Sequence, residues 1–305
     1  MSRLTSLFFA GAFALAACGG GGSGGGDAAG GSDGAGGGDG GGGSGDGGGG
    51  GDGWTTLITS DWTLDPPSES FDGEEYRCAT KTITEDTYIG AIRSLSPSGT
   101  HHTTLDVQNG DGSDDPGSPC NVEFGKLYAA GVGTGALDLP DGVGLKVSAG
   151  QQVRINLHLF NATDGPIAGT SGIEVQTIPA AEVVHEAEMG LSGPLSLNVT
   201  EGVSSTTHSD PTPAATAVAL FPHMHQLGTH AKVRHMRGDT EVAVLWDRDY
   251  DFEAQSFDLL PTPAVFQPGD EIETTCTWNN TTGATVHWGD SSTAEMCFSL
   301  IMFYQ

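Results

Sequence analysis

Basic residues are scarce in this sequence: 11 Lys and Arg stand against 39 Asp and Glu over 305 residues, a formal net charge of −28. A field of that sign repels phosphate backbones and anionic lipid headgroups, which argues against nucleic acid as a partner. Long apolar runs are lacking too, and none reaches the roughly 20 residues that a membrane-spanning helix needs. No two of the five cysteines share a CxxC spacing, so the usual signature of a structural zinc site is missing.

Glycine is plentiful but badly distributed. Residues 19–53 hold 24 of the 49 glycines, together with Ser, Ala and five Asp, and no core-forming side chain. Such a segment cannot recover the entropy lost on ordering and is expected to be a disordered tether. Residues 1–18 have the layout of an export signal: Arg3, a short apolar run from Leu7 to Ala17, and then Leu15-Ala16-Ala17-Cys18, which resembles a bacterial lipobox. The expectation is a lipoprotein anchored through Cys18 to the cell envelope, touching membrane by that lipid alone. An ordinary signal with an incidental cysteine is the alternative. Gly19 after the cysteine, where Asp would favour the inner membrane, points to the outer one.

Export changes how the other cysteines are read. Cys78, Cys120, Cys276 and Cys297 are an even number in an oxidising compartment. Of the three possible pairings, Cys78–Cys120 with Cys276–Cys297 keeps both bridges local and gives each half of the foldable chain one staple.

From Trp54 to Gln305 the pattern is short alternating or apolar runs, such as 87–92, 153–160, 217–221, 272–278 and 298–304, broken by Gly, Pro, Asn and Asp. Period-two runs rich in β-branched residues predict an all-β protein of sandwich type. The length suits two tandem jelly-roll-like sandwiches. We place the boundary at Ile178-Pro179-Ala180, giving halves 54–179 and 180–305 that are not sequence copies of one another.

The histidines carry the chemical interest. In Phe221-Pro222-His223-Met224-His225 two imidazoles stand at i and i+2, so in a strand they share a face. His101 and His102 are adjacent, and both can meet one ion only if the backbone bends, for which Ser98-Gly99-Thr100 gives licence. His158 lies in the apolar run Arg154 to Phe160, and Met296 directly precedes Cys297. Each alone has an ordinary explanation as a core or surface residue.

Taken in order, the set HH, LHLF, HMHQLGTH and GDSSTAEMC followed by LIMFY resembles the copper type II, ascorbate-dependent monooxygenases, whose branches include the peptidylglycine α-hydroxylating and dopamine β-monooxygenases. Glu75-Tyr76-Arg77-Cys78 and Leu139 to Val147 extend the resemblance over most of residues 70–305. It implies two jelly-roll-like domains, each holding one copper, that face each other across an open cleft. Carried over by motif, His101, His102 and His158 would ligate an electron-transfer copper, and His223, His225 and Met296 an oxygen-activating copper. A thioether is a soft ligand suited to Cu(I), and zinc in an exported protein would rarely recruit one. The implied reaction is hydroxylation of an activated C–H bond with O₂ and ascorbate or a similar one-electron donor. His287 stands near Met296, as a supporting or a surface residue; His185, His208, His230 and His235 have no assigned role.

Departures from the family pattern bear on substrate. The peptide-amidating branch holds a peptide carboxylate with an Arg, an Asn and a Tyr, and here Phe221, Phe298 and Leu300 occupy those places. Peptide amidation is therefore not expected, and an apolar rim would suit a small hydrophobic substrate. The cysteine usual near the first histidine pair is absent after His102, which makes the first copper set the weaker of the two. A non-catalytic exported copper-binding or electron-transfer lipoprotein, and an adhesion or carbohydrate-binding module with incidental histidines, are the alternatives.

Overall fold

A computed structural model describes residues 53–305 except 111, 122–126, 132 and 290–292. The signal, the lipobox with Cys18 and nearly all of the Gly-rich tether lie outside the described residues. Ten strands come from the first half: β1 (Thr55–Leu64), β2 (Glu74–Thr82), β3 (Thr87–Leu95), β4 (Thr100–Gln108), β5 (Asp115–Pro119), β6 (Tyr128–Gly131), β7 (Leu137–Asp138), β8 (Val143–Val147), β9 (Gln152–Phe160) and β10 (Ile167–Thr177). The second half adds β11 (His185–Ser192), β12 (Asn198–Val199), β13 (Gly202–Pro211), β14 (Ala215–His223), β15 (Gly228–Arg237), β16 (Thr240–Asp249), β17 (Asp258–Phe266), β18 (Glu271–Asn280), β19 (Val286–His287) and β20 (Phe298–Tyr304). Helix among the described residues is limited to two single 3-10 turns, at Ala180–Glu182 and Phe252–Ala254. The protein is all-β, as the alternating runs predict.

One sheet runs through both halves. Its order is β1-β10-β3-β8-β11-β20-β14-β17, with β7 beside β3, so four strands of the first half continue into four of the second. The join is the short parallel pairing of β8 with β11, His185 opposite Val143 to Ala187 opposite Leu145. The sheet β5-β2-β9-β4-β6 covers the first half, and β13-β18-β15-β16 covers the second. Two sandwiches thus share one inner sheet.

Sequence explains which strands are buried on one face and which on two. β18, Glu-Ile-Glu-Thr-Thr-Cys-Thr-Trp-Asn-Asn, alternates strictly and buries Ile272, Thr274, Cys276 and Trp278 on one face. β14 and β20 are near-continuous apolar runs and are buried almost throughout. Phe221, Leu300 and Met302 join the core of the first half, while Leu220, Ile301 and Phe303 join a second core with Val233 and Ile272 of the outer sheet. A strand covered on both faces has no use for alternation. The edge strand β17 carries Pro261 and Pro263, which cannot donate to a further strand and so blunt the edge.

Both disulfides form as paired above, Cys78–Cys120 in the first half and Cys276–Cys297 in the second. They suggest an exported protein, since such bridges persist in oxidising compartments. The halves also share a loop device: Asn161 after β9 and Asn280 at the end of β18 each send the side-chain amide to two carbonyls and accept the amide of the residue two further on.

Candidate metal centre

The first histidine set sits on β4 and β9 of the outer sheet. The register between these strands slips between Thr100 and His102, a bulge that places the extra residue at His101. Just before it, Gly99 has φ +98°, and an added Cβ would lie 2.7 Å from Trp62 and Ile167. Only glycine makes that approach, and the bulge after it turns two adjacent imidazoles to one side. The ring centroids of His101 and His102 are 4.1 Å apart, and those of His158 lie 5.0 Å and 5.8 Å from them.

Three ligand atoms from these residues lie within 4.8 Å of one another. His101 Nδ1 and His158 Nδ1 are 3.2 Å apart, the spacing expected of neighbouring ligands each about 2.0–2.1 Å from a shared ion. Around His158, Tyr76 stacks at 4.5 Å and the Glu74 carboxylate lies 3.4 Å from Nε2. His102 Nε2 is buried with no hydrogen-bond partner among the described residues. Burial, followed by the neighbouring His101, His158 and His223, pushes the His102 pKa down to about 3, so the ring is neutral and, with the other nitrogen bonded to the Phe252 backbone, the unpartnered Nε2 is the one available as a ligand. The donor set fits a copper ion.

The second set stands at the ends of β14 and β20. His223 faces Phe298 in the last pair of the antiparallel register, and beyond it His225 bonds Glu295 and Ala294, the two residues just before Met296. His223, His225 and Met296 are buried. The tautomers follow from their partners. Gln255 donates its side-chain amide to the Phe252 carbonyl at 2.9 Å, which turns its Oε1 toward His223 Nδ1 at 2.7 Å. Nδ1 must therefore carry the proton, and the lone pair is left on Nε2. His225 Nδ1 lies 3.1 Å from the Ala294 carbonyl, which can only accept, so its lone pair too is on Nε2. Burial, with His225 adding to it, pushes the His223 pKa down to about 3. Two imidazoles offering Nε2, with the Met296 thioether next in sequence to Glu295, would suit a soft, redox-active ion.

Besides Gln255, three further residues that the sequence did not single out, Glu295, Tyr250 and Phe252, surround this second set. Glu295 is fully buried; its carboxylate accepts the His225 amide at 3.0 Å, the Leu227 amide at 2.8 Å and Trp278 Nε1 at 2.9 Å. The Tyr250 hydroxyl accepts the Met224 amide at 2.9 Å and donates to the Met224 carbonyl, fixing the residue between the two histidines. Phe252, at a 3-10 turn between β16 and β17, brings its ring within 6.4 Å of His101, 5.6 Å of His102 and 6.3 Å of His225. The resemblance implied an open cleft between the sets; here the Phe252 ring touches rings of both. Glu295 was visible as an acidic residue beside Met296. The segment 250–257 has no periodicity to mark it.

Phe221, Phe298 and Leu300 are buried core residues. An open depression of about 480 Å³ beside the second set is instead lined by Gln226, Gly228, Tyr250, Asp251 and Phe252. The His287 side chain is exposed and bonded to Asn198, while its carbonyl accepts the Glu295 amide. His185 stacks on Tyr304, and His208, His230 and His235 lie against Asp210, Asp247 and Asp270.

Comparison with known proteins bears on the second half. Residues 202–305 match the family model described as the copper type II ascorbate-dependent monooxygenase, C-terminal domain. "DBH-like monooxygenase protein 1" of Mus musculus is 38% identical over 88 residues, 28% of this chain and 14% of that protein. "MOXD1 homolog 1" of Drosophila melanogaster is 27% identical over 170 residues, covering 55% and 23%. "DBH-like monooxygenase protein 2" of Mus musculus is 27% identical over 218 residues, covering 63% and 34%. The aligned stretches thus span about a third or less of each relative. These findings support the copper type II ascorbate-dependent monooxygenase family, and the matched domain contains His223, His225 and Met296.

Proposed function

We propose that this chain is an exported copper-dependent monooxygenase that hydroxylates an activated C–H bond, using O₂ and a one-electron donor such as ascorbate. The observation that carries it is the second set: two imidazoles, each with Nε2 left as the lone-pair nitrogen by a partner on Nδ1, inside the domain that matches the family. Two coppers are proposed, one held by His101, His102 and His158 in half 54–179, the other by His223, His225 and Met296 in half 180–305. A lipid on Cys18 and the Gly-rich tether would hold the enzyme at the cell envelope.

Copper, when bound, supplies one-electron redox chemistry and the activation of O₂. In the balance of the reaction one oxygen atom enters the C–H bond and the other leaves as water, with two electrons from two donor molecules and two protons. Glu295 and Tyr250 fix the backbone of the ligand-bearing chain, so His225 is held without freedom to turn away. Gln255 holds His223 in the ligating tautomer. The substrate is placed in the depression beside Phe252, where Gln226 and Asp251 add polar contacts to an aromatic wall.

Oxygen uptake by desalted, copper-loaded protein with ascorbate tests the reading. His225→Ala and Met296→Ala are each expected to abolish protein-dependent uptake, and uptake unchanged by both would eliminate the enzyme. Phe252 between the sets favours the second reading, copper binding without turnover; there both sets would load but no uptake would exceed that of the variants.

A further inference from the structure

The turn at 252–255 touches both histidine sets by separate routes. Through Phe252 it meets the first set, since His102 has a hydrogen bond to the Phe252 backbone and its ring centroid lies 5.6 Å from that of Phe252. Through Gln255 it meets the second, with Oε1 2.7 Å from His223 Nδ1. The same residue is anchored across the halves: the Gln255 carbonyl accepts the Gly131 amide at 3.1 Å and the Thr134 hydroxyl at 3.2 Å. Gly131 pairs directly with His102 in the β4–β6 register. A continuous path thus runs from His102 through Gly131 and Gln255 to His223, and a second runs from His102 through the Phe252 ring to His225.

We infer that the turn 252–255 is a positioning element shared by the two sets, so that a change made on the first-half side of the turn alters metal affinity at the second set. The inference rests on the two-copper reading. Its physical basis is that four consecutive residues cannot shift to suit one set without moving contacts of the other. Phe252 and Gln255 act as positioning residues, and Thr134 is the anchor on the opposite half.

The test uses the full chain and Cu(I) alone, with affinities read by competition against a chromophoric Cu(I) chelator. The second set is measured in a His158→Ala background, which keeps His101 and His102 against Phe252. The first is measured in a His223→Ala background. Thr134→Val removes the hydroxyl that donates to the Gln255 carbonyl and accepts the Gly131 amide, and is expected to weaken the second set by about three- to tenfold, the worth of the contact to Gln255. Phe252→Leu, which keeps an apolar side chain, is expected to weaken both sets by about fivefold or more. A merely structural role would lower the melting temperature of Thr134→Val and leave second-set affinity within about twofold of its parent, and that result overturns the inference. So does a Phe252→Leu effect confined to one set. Parents that retain Cu(I) show that only the coupling has failed. Parents that hold no Cu(I) at His223 and His225 remove the copper reading and this inference together.

Discussion

The first histidine set stands on an outer sheet and is gathered by a bulge, whereas the second stands at the end of a strand buried on both faces and is gathered by its neighbours' hydrogen bonds. In the first, backbone irregularity at Thr100 to His102 turns two adjacent rings to one side, and the Glu74 side chain beside His158 is 45% exposed. In the second, β14 ends at His223 and the His225 ring stands across it at 81° with centroids 5.1 Å apart, and Glu295, Tyr250 and Gln255, all buried or nearly so, fix them. Rigidity at the second set therefore depends on a few buried polar groups, each costly to remove.

The largest effect that would break this contrast is at Glu295. Glu295→Ala leaves the amides of His225 and Leu227 and the Trp278 indole N–H without their acceptor in the core, and should cost about 3–5 kcal/mol in denaturant unfolding. Glu295→Gln keeps the shape but replaces one acceptor oxygen by a donor, and should cost about 1–3 kcal/mol. A loss below about 1 kcal/mol for the alanine variant would show that the second set is not held as described.

Next come the disulfides, whose sequence separations are 42 for Cys78–Cys120 and 21 for Cys276–Cys297. Loop-closure entropy assigns roughly 4 kcal/mol to the first and roughly 3.5 kcal/mol to the second, nearly equal losses for paired Cys→Ser variants. Their effects on metal should not be equal. Cys297 follows Met296 directly, so opening the second bridge should weaken Cu(I) at His223 and His225, while opening the first should leave that affinity unchanged.

A third measurement asks whether the two halves share one property. His102 and His223 both have pKa values lowered to about 3 by burial. The unfolded chain accepts protons at these rings near pH 6.5, and the folded chain resists them until about pH 3. Stability of the metal-free protein is therefore full above about pH 6.5 and falls as pH drops through that window, by up to about 1.4 kcal/mol per pH unit for each ring. His102→Gln and His223→Gln should each make the metal-free protein less sensitive to acid in this window, lowering the slope in denaturant unfolding by up to about 1.4 kcal/mol per pH unit.

What could be read in the sequence follows the range of the contacts involved. The strands with local alternation, the two disulfides and the bend at Gly99 were legible because composition, compartment and backbone freedom are local facts. The continuous runs of β14 and β20 showed burial but not which partners cover the two faces. The β8–β11 join, three residue pairs long, has no signature, so one inner sheet through both halves could not be foreseen. Phe252 and Gln255 lie in an aperiodic segment whose meaning comes only from contacts distant in sequence, with His223 and His225 on one side and His102, Gly131 and Thr134 on the other. Glu295 is a similar case within one half, since beside the Trp278 indole its partners are main-chain amides 68 and 70 residues away.

The smallest expected effect on stability is also the most specific. Glu74 lies 3.4 Å from His158 Nε2, and its side chain is 45% exposed, so Glu74→Gln should change stability by less than about 1 kcal/mol. It still bears on the metal. The carboxylate lies beside Nε2 without hydrogen-bonding to it, and its negative charge favours a cation held at Nδ1, the nitrogen that faces His101. Removing that charge should lower Cu(I) affinity at the first set by about tenfold or less, read by chelator competition in a His223→Ala background. The second set, held by Glu295 and Gln255, should not respond. If it did, the sets would share their support more widely than through the turn at 252–255, and the contrast between an exposed and a buried means of fixing an imidazole would fail.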